Sequence, residues 1–527
     1  MDTVNHKEMI KQLVYIILLS YFGLYTDGAR ILGVFVMSTK SHYILSNTLM
    51  RGLAEAGHDV TVVTPYYDKK PVQNGTYRNI VLTGFVEEYT VYSKKRNFFE
   101  GDLINKVTYS LGLHNAVFPI IEKTFQHQNF QNLINSESEQ FDVVVVEQFH
   151  SDAFKALAWY YNAHLVVFSP GASSCGTNSL VGNPTELSYN PMPYTNFPTD
   201  MNFLQRVYNT ILYSFEYSAH QLHFLPQHNQ LIQQHFPDCP DIFKLLNNVS
   251  LVLTNSHESL TPSKPLVPNL INVGGLHIQP PGILPEDLKL YLDEATDGVI
   301  YFSMGSNLKS SEMRLDKVEH FVQAFKRLKQ KVLWKWETDI LPGKPTNVRI
   351  EKWVPQMEVL AHPNVKVFIS HGGLLSFYES IYYGVPMLVI PVFYDQASNA
   401  LNGVQEGYAL SLPYKDSKFS EETIYSYLQQ LLTNYSFAQN AKTRSNIFHD
   451  RAMSPIQTAT HWIDYIIRHK GAPHLRSRRL QLPWYQYFLL DVVLFLLVFV
   501  VTIVILVCLL CFLLYRLLRK QNKIKIN

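Results

Sequence analysis

Eight short runs of apolar, β-branched residues constrain this chain more than any other feature. Four lie at 30–37, 58–65, 141–147 and 164–170, and four more at 299–305, 331–337, 365–370 and 386–392. Runs that stay apolar on both faces belong in parallel sheets covered by helices on both sides. The intervening segments supply those helices. Residues 43–56 place Leu45, Leu49 and Leu53 on one stripe, and 151–161, 316–329, 374–383 and 396–406 also read as helical. Proline-rich stretches at 261–269 and 279–287 separate the two series. The expectation is an α/β protein of two doubly wound, Rossmann-like domains, 29–265 and 286–455, joined by a linker at 266–285. A C-terminal helix and juxtamembrane segment follow at 456–486. In such sheets ligands bind beyond the carboxyl ends of the strands.

The two ends of the chain read as targeting and anchoring segments. Lys7 and Lys11 precede the apolar run 13–24, with Gly28-Ala29 after it, the pattern of a signal peptide over 1–28. Residues 488–514 form an apolar stretch long enough to span a bilayer, followed by a basic tail, 515–527. The Cys508-x-x-Cys511 pair falls inside that stretch and reads as lipid-facing thiols rather than a redox motif. A signal peptide followed by one span predicts a single-pass type I protein with a luminal body. The acceptor sequons at Asn74, Asn248 and Asn434 are consistent with that, and Lys523 and Lys525 leave room for an endoplasmic-reticulum retrieval signal. A net charge of +2 over 527 residues gives no case for nucleic acid, and four cysteines are too few for a disulfide framework.

The chemistry concentrates between Trp353 and Gln396. A strand ends at Ser370 and a helix begins near Leu374, so His371 and Gly373 occupy a helix amino end, where free N–H groups and the helix dipole favour an anion such as phosphate. Ser303 and Ser306, after another strand, offer hydroxyls to the same cleft. Ser376 and Glu379 share one helical face, and a carboxylate there suits ribose hydroxyls. Asp395 and Gln396 can grip a polyhydroxylated group, Trp353 can stack on a flat base, and Gln356 can read its edge. Taken singly, each has a structural reading: a tight turn, a core tryptophan, a helix cap. Together, all at strand carboxyl ends, they are informative.

Residues 353–400 resemble the signature of the UDP-glycosyltransferase family, and "VVVEQFHSDAF" and "SLVGNPTELSYNP" resemble its arthropod membrane-bound members. The resemblance implies a GT-B fold, an inverting mechanism and a UDP-sugar as co-substrate, with no other cofactor. It implies that Trp353 stacks on uracil, Gln356 contacts the uridine and Glu379 holds the ribose. Ser306, His371, Gly373 and Ser376 would hold the diphosphate, and Asp395 and Gln396 the sugar. It makes His42 the base that deprotonates an acceptor hydroxyl, a task suited to imidazole near neutrality. Vertebrate members carry an aspartate where this chain has Glu147. Asp152 follows five residues later, and either can partner His42, with Asp152 favoured on residue type. The chain contains no Asp-x-Asp triplet, so no metal is expected. The expected acceptor is a small lipophilic alcohol or phenol. UDP-glucose is the favoured donor and UDP-glucuronate the alternative. A homo-oligomer is compatible with this reading. A non-catalytic binding protein is disfavoured, because both His42 and the donor signature are intact.

Overall fold

The computed structural model describes residues 28–95, 97–100 and 108–524. The expected signal peptide, apart from Gly28, and Lys525 lie outside the described residues. Residues up to Leu475 form one compact unit and Arg476 onward a second.

The first unit contains two parallel sheets. One comprises β1 (Arg30–Val34), β2 (Asp59–Thr64), β3 (Thr76–Val81), β4 (Val143–Glu147), β5 (His164–Ser169), β6 (Val249–Thr254) and β7 (Leu270–Asn272), in the order β3-β2-β1-β4-β5-β6-β7. The other comprises β8 (Val299–Ser303), β9 (Lys331–Lys335), β10 (Val348–Glu351), β11 (Val365–Ser370), β12 (Met387–Val389) and β13 (Ala409–Ser411), ordered β10-β9-β8-β11-β12-β13. The central strands are buried on both faces; Val143 to Val146 are fully inaccessible. Strand order therefore reverses once in each sheet, between β1 and β4 and between β8 and β11.

The helices that matter for the site and the surface are α1 (Lys40–Glu55), α2 (Tyr109–Gln126), α3 (Phe203–Ala219), α4 (Leu225–His235), α5 (Leu374–Tyr383), α6 (Gln396–Gln405), α7 (Pro455–Arg468) and α8 (Leu490–Ile524). Several differ from expectation. The first run ends as strand at Val34, yet Phe35, Val36 and Met37 remain buried, because apolarity reports burial and not pairing. The helix expected from 43 begins at Lys40, which puts His42 inside its first turn. Residues 151–161 open as a tight 3₁₀ turn, Asp152–Lys155, before a short helix. β7 lies inside the segment expected to be a linker and pairs with β6, so the first sheet extends to Asn272. The aperiodic region before residue 240 holds α3 and α4, joined by a π-helical turn, His220–Phe224. Pro226, without an N–H and with its ring against the preceding turn, accounts for that local widening.

α7 returns from the second sheet to the first. Ser454 caps it in a reciprocal capping box with Gln457, Pro455 occupies the first turn, and Ala459, Ile463 and Ile466 enter the core around Ile31, Leu49 and Val60. In the second unit, the most apolar 18-residue stretch of α8, within 490–519, has a mean hydropathy of 3.6, and the helix is long and apolar enough to cross a membrane.

Truncating Ile463, which is fully buried, leaves a cavity where α7 meets the first sheet. Ile463→Ala is expected to cost about 2–5 kcal/mol, read as a lowered thermal-unfolding midpoint of the full chain.

Candidate active site

The site is built at the two places where strand order reverses. In the first sheet, β1 leads into α1 and His42, and β4 ends on Glu147. His42 Nδ1 lies 2.7 Å from Glu147 Oε1. Glu147 is 3% exposed, while the histidine ring remains partly open, with Phe149 packed edge-on at 4.7 Å. With the carboxylate ionised, Nδ1 carries the proton and donates it, so Nε2 keeps its lone pair. The same carboxylate stabilises positive charge on the ring.

Asp152, the partner favoured on residue type, is not at His42. It begins the 3₁₀ turn beyond β4 and is 1% exposed, where the Lys155 ammonium donates to it and His220 Nε2 lies 3.2 Å from Oδ2. Burial alone would raise this carboxyl; Lys155 and His220 outweigh it and hold it well below the usual range. Asp152 thus neutralises a buried lysine. Around this pair lies a group of histidines. His114 Nε2 contacts Gln227 Oε1 at 2.8 Å and its ring stacks on Phe224 at 4.0 Å. His228 and His150 sit 5.4 and 5.9 Å from His114, ring to ring, and His150 has φ +52°. Neither ring nitrogen of His228 has a hydrogen-bond partner among the described residues. Desolvation pushes His150 and His228 down to about 3 and lowers His114.

In the second sheet, β8 ends at Ser303 and β11 leads through His371 to α5. Two glycines let the turns close on the imidazole: a Cβ on Gly305 or Gly373 would sit 2.5 Å from a His371 ring atom. Gly305 also has φ +86°. Ser303 is buried and its hydroxyl accepts from the Gly305 N–H at 3.2 Å, holding the turn, while Ser306 is exposed. Gln356, Ser376 and Glu379 form one hydrogen-bonded cluster. Gln356 Nε2 donates to Glu379 Oε2 at 2.5 Å and to Ser376 Oγ at 3.2 Å, and Tyr301 donates to Gln356 Oε1 at 3.0 Å. His277 Nε2 lies 3.2 Å from the other Glu379 oxygen. Trp353 is 67% exposed.

Asp395 occupies the N-cap position of α6 without a side-chain bond to the helix backbone, and accepts from Asn399 Nδ2 at 2.8 Å. Burial raises its carboxyl, partly offset by that hydrogen bond and by charge on His42. Gln396 is buried at the start of α6. Its Oε1 accepts from the Val392 and Phe393 N–H groups at 2.8 and 3.1 Å, which pins the loop ahead of Asp395.

Sequence reasoning missed Lys335. It ends β9 almost fully buried and donates to the Gly305 carbonyl at 3.0 Å and to Glu337 at 2.9 Å, with Nζ 5.7 Å from the centre of the Trp353 ring. Burial, and then the charge of Lys335, push His371 down to about 4, so its imidazole is neutral at physiological pH. The available signal was a lone lysine closing an apolar strand. Tyr301 and His277 left none, because their contacts are made across the fold.

Two parallel-sheet domains, with a histidine–carboxylate pair at one reversal point and a histidine–glycine corner at the other, have the GT-B architecture of glycosyltransferases. A solved UDP-glucose: anthocyanidin 3-O-glucosyltransferase in complex with UDP shares this fold, with a TM-score of 0.54 at 15% identity, covering 84% of this chain and 100% of that one. The family described as UDP-glucoronosyl and UDP-glucosyl transferase matches residues 31–525. The chain is 36% identical over 493 residues to UDP-glycosyltransferase UGT5 of Dactylopius coccus, covering 92% of this chain and 91% of the relative. It is 34% identical over 493 residues to UDP-glucosyltransferase 2 of the same organism, covering 92% and 93%. The chain belongs to the UDP-glycosyltransferase family and is an enzyme that uses UDP-sugars.

The neutral histidines around Asp152 make stability depend on pH. Their folded pKa values lie below the unfolded value of about 6.5, so the unfolded chain binds more protons between the two. The stability they contribute is fully present above about pH 6.5 and is lost as pH falls toward about 3. The thermal-unfolding midpoint is expected to drop on going from about pH 7.5 to 5.5, and His228→Leu should make that drop smaller.

Proposed function

We propose that the enzyme transfers a hexosyl group, glucose by preference, from its UDP carrier to a hydroxyl of a small lipophilic acceptor, with inversion at the anomeric carbon. The observation that carries this reading is the 2.7 Å contact between His42 and Glu147 at a strand-order reversal facing the donor domain. His42 Nε2 takes the acceptor proton as the oxygen attacks the anomeric carbon. The bond from that carbon to the diphosphate oxygen breaks, and UDP leaves with the electron pair. Glu147 steadies the imidazolium formed in that step. The α5 amino end and the cation of Lys335 offset charge developing on the departing diphosphate. Trp353, Gln356 and Glu379 hold the uridine end; Ser306, His371, Gly373 and Ser376 hold the diphosphate, and Asp395 the sugar. No metal is required in this scheme, because protein donors carry that charge.

The donor preference rests on the Dactylopius coccus relative named a glucosyltransferase, and the family description also covers UDP-glucuronate enzymes. We further propose that α8 anchors the enzyme in the endoplasmic-reticulum membrane with the body in the lumen. The Phe- and Tyr-rich surfaces of the first domain suit acceptors that partition into that membrane.

The test uses microsomes expressing the full chain, supplied with a simple phenol and either UDP-glucose or UDP-glucuronate. Conjugate formation is expected to be greater with UDP-glucose. His42→Ala should lower the rate by about 10²–10⁴-fold with UDP affinity unchanged; equal activity in the mutant would overturn the base assignment. Glu147→Gln should lower the rate at saturating donor without loss of thermal stability. Asp152→Asn should act in the opposite sense, lowering the unfolding midpoint by leaving Lys155 unpaired.

A further inference from the structure

α3 is attached to the body by one face only. Asn209 and Leu212 are its buried side chains. Asn209 Nδ2 donates to the carbonyls of Leu187 and Asn190, both at 3.0 Å, and its Oδ1 accepts from the Met192 N–H at 2.8 Å. Glu216, on the same side, accepts from Tyr194 Oη and Cys175 Sγ. The opposite face is apolar and open. Phe203 is 68% exposed, Leu204 74%, Val207 39%, Tyr208 37%, Ile211 62% and Phe215 38%. At about 100° per residue these six fall on an arc of about 140°, over a length of roughly 18 Å. The helix's two charged residues, Arg206 and Glu216, fall outside that arc, and Arg206 is turned back to the Met201 carbonyl at 2.7 Å. Leu222, 79% exposed in the π-turn that follows, extends the apolar surface beyond the helix.

An uncharged face dominated by large apolar side chains, with Ser214 and Ser218 among them, marks a surface that meets another apolar phase. The same chain carries a helix able to cross a bilayer. If that helix is the anchor, the body is held permanently at a membrane surface, and a weakly apolar face is enough to engage it. The arc carries no charge, so the partner needs none. Tyr208 offers an apolar ring and a polar tip, which suits the boundary between headgroups and acyl chains.

We propose that α3 lies in the interface of a neutral phospholipid bilayer, with Phe203, Leu204, Val207, Tyr208, Ile211 and Phe215 facing the acyl chains. This goes beyond the transferase reading and rests on α8 as the anchor, not on the identity of donor or acceptor.

The full chain, reconstituted in phosphatidylcholine nanodiscs, tests it with a photoreactive benzoylphenylalanine at position 211, 215 or 206. Irradiation is expected to yield phosphatidylcholine adducts at 211 and 215 at least several-fold above those at 206, read by mass. Cross-linking at 211 to a second copy of the chain would show a self-association face and overturn the proposal. Equal lipid labelling at all three positions would overturn it too. A second measurement uses the Ile211→Asp/Phe215→Asp double variant with the anchor intact. The KM for a membrane-partitioned phenol should rise several-fold, while the KM for the UDP-sugar and for a water-soluble acceptor stays unchanged. Loss of all three together would indicate misfolding, which the unfolding midpoint of the variant detects, and the cross-linking result then decides. Because the adducts are read without any turnover, they succeed or fail independently of the transferase reading.

Discussion

Parallel strands buried on both faces all point one way, and that constraint governs the rest of the molecule. Each sheet delivers its carboxyl ends to a single edge, and each reverses strand order once, where neighbouring connections diverge and leave a crevice. His42 and Glu147 sit at the β1–β4 reversal; Ser303 and His371 sit at the β8–β11 reversal. Burial raises the Asp395 carboxyl in the other domain, and the charge on His42 is one of the influences that lower it, behind the Asn399 hydrogen bond. α7 reinforces this arrangement by returning from the second sheet to the core of the first.

The two acidic residues after β4 illustrate how burial assigns roles. Glu147 ends a strand at the crevice and meets a partly open imidazole. Asp152 lies five residues on, enclosed with a fully buried lysine, and removing either partner would strand an uncompensated charge. The longer glutamate side chain reaches the histidine because it starts from the strand end, whereas the aspartate is carried away by the 3₁₀ turn. Preference by residue type failed because the distance was set by backbone path.

The donor side shows the same economy of geometry. Gln356, Ser376 and Glu379, far apart in sequence from Tyr301 and His277, are oriented by hydrogen bonds to one another, so the groups proposed to meet a nucleotide are preorganised. Gln396 serves its neighbours' backbone, and Asp395 is presented by the loop it pins. On the outer surface, α3 presents the reverse situation: polar contacts point inward and apolar ones outward.

The sequence by itself determined the alternation of buried strands and helices, the two-domain division, the apolar span and the cluster from Trp353 to Gln396. Each of these is written locally, in periodicity, in turn residues or in a contiguous signature. It also placed His42 beside a strand end, though it put the start of the helix at 43, three residues after Lys40. Tertiary structure alone decided that Glu147 and not Asp152 meets His42, that β7 closes the first sheet, and that Lys335 joins the turn at Gly305 beside His371. It also decided that α3 turns its apolar arc outward. These depend on which strands become neighbours and where a chain path bends after a strand. Side-chain encounters across 105 residues, as for His42 and Glu147, have no local signature to read.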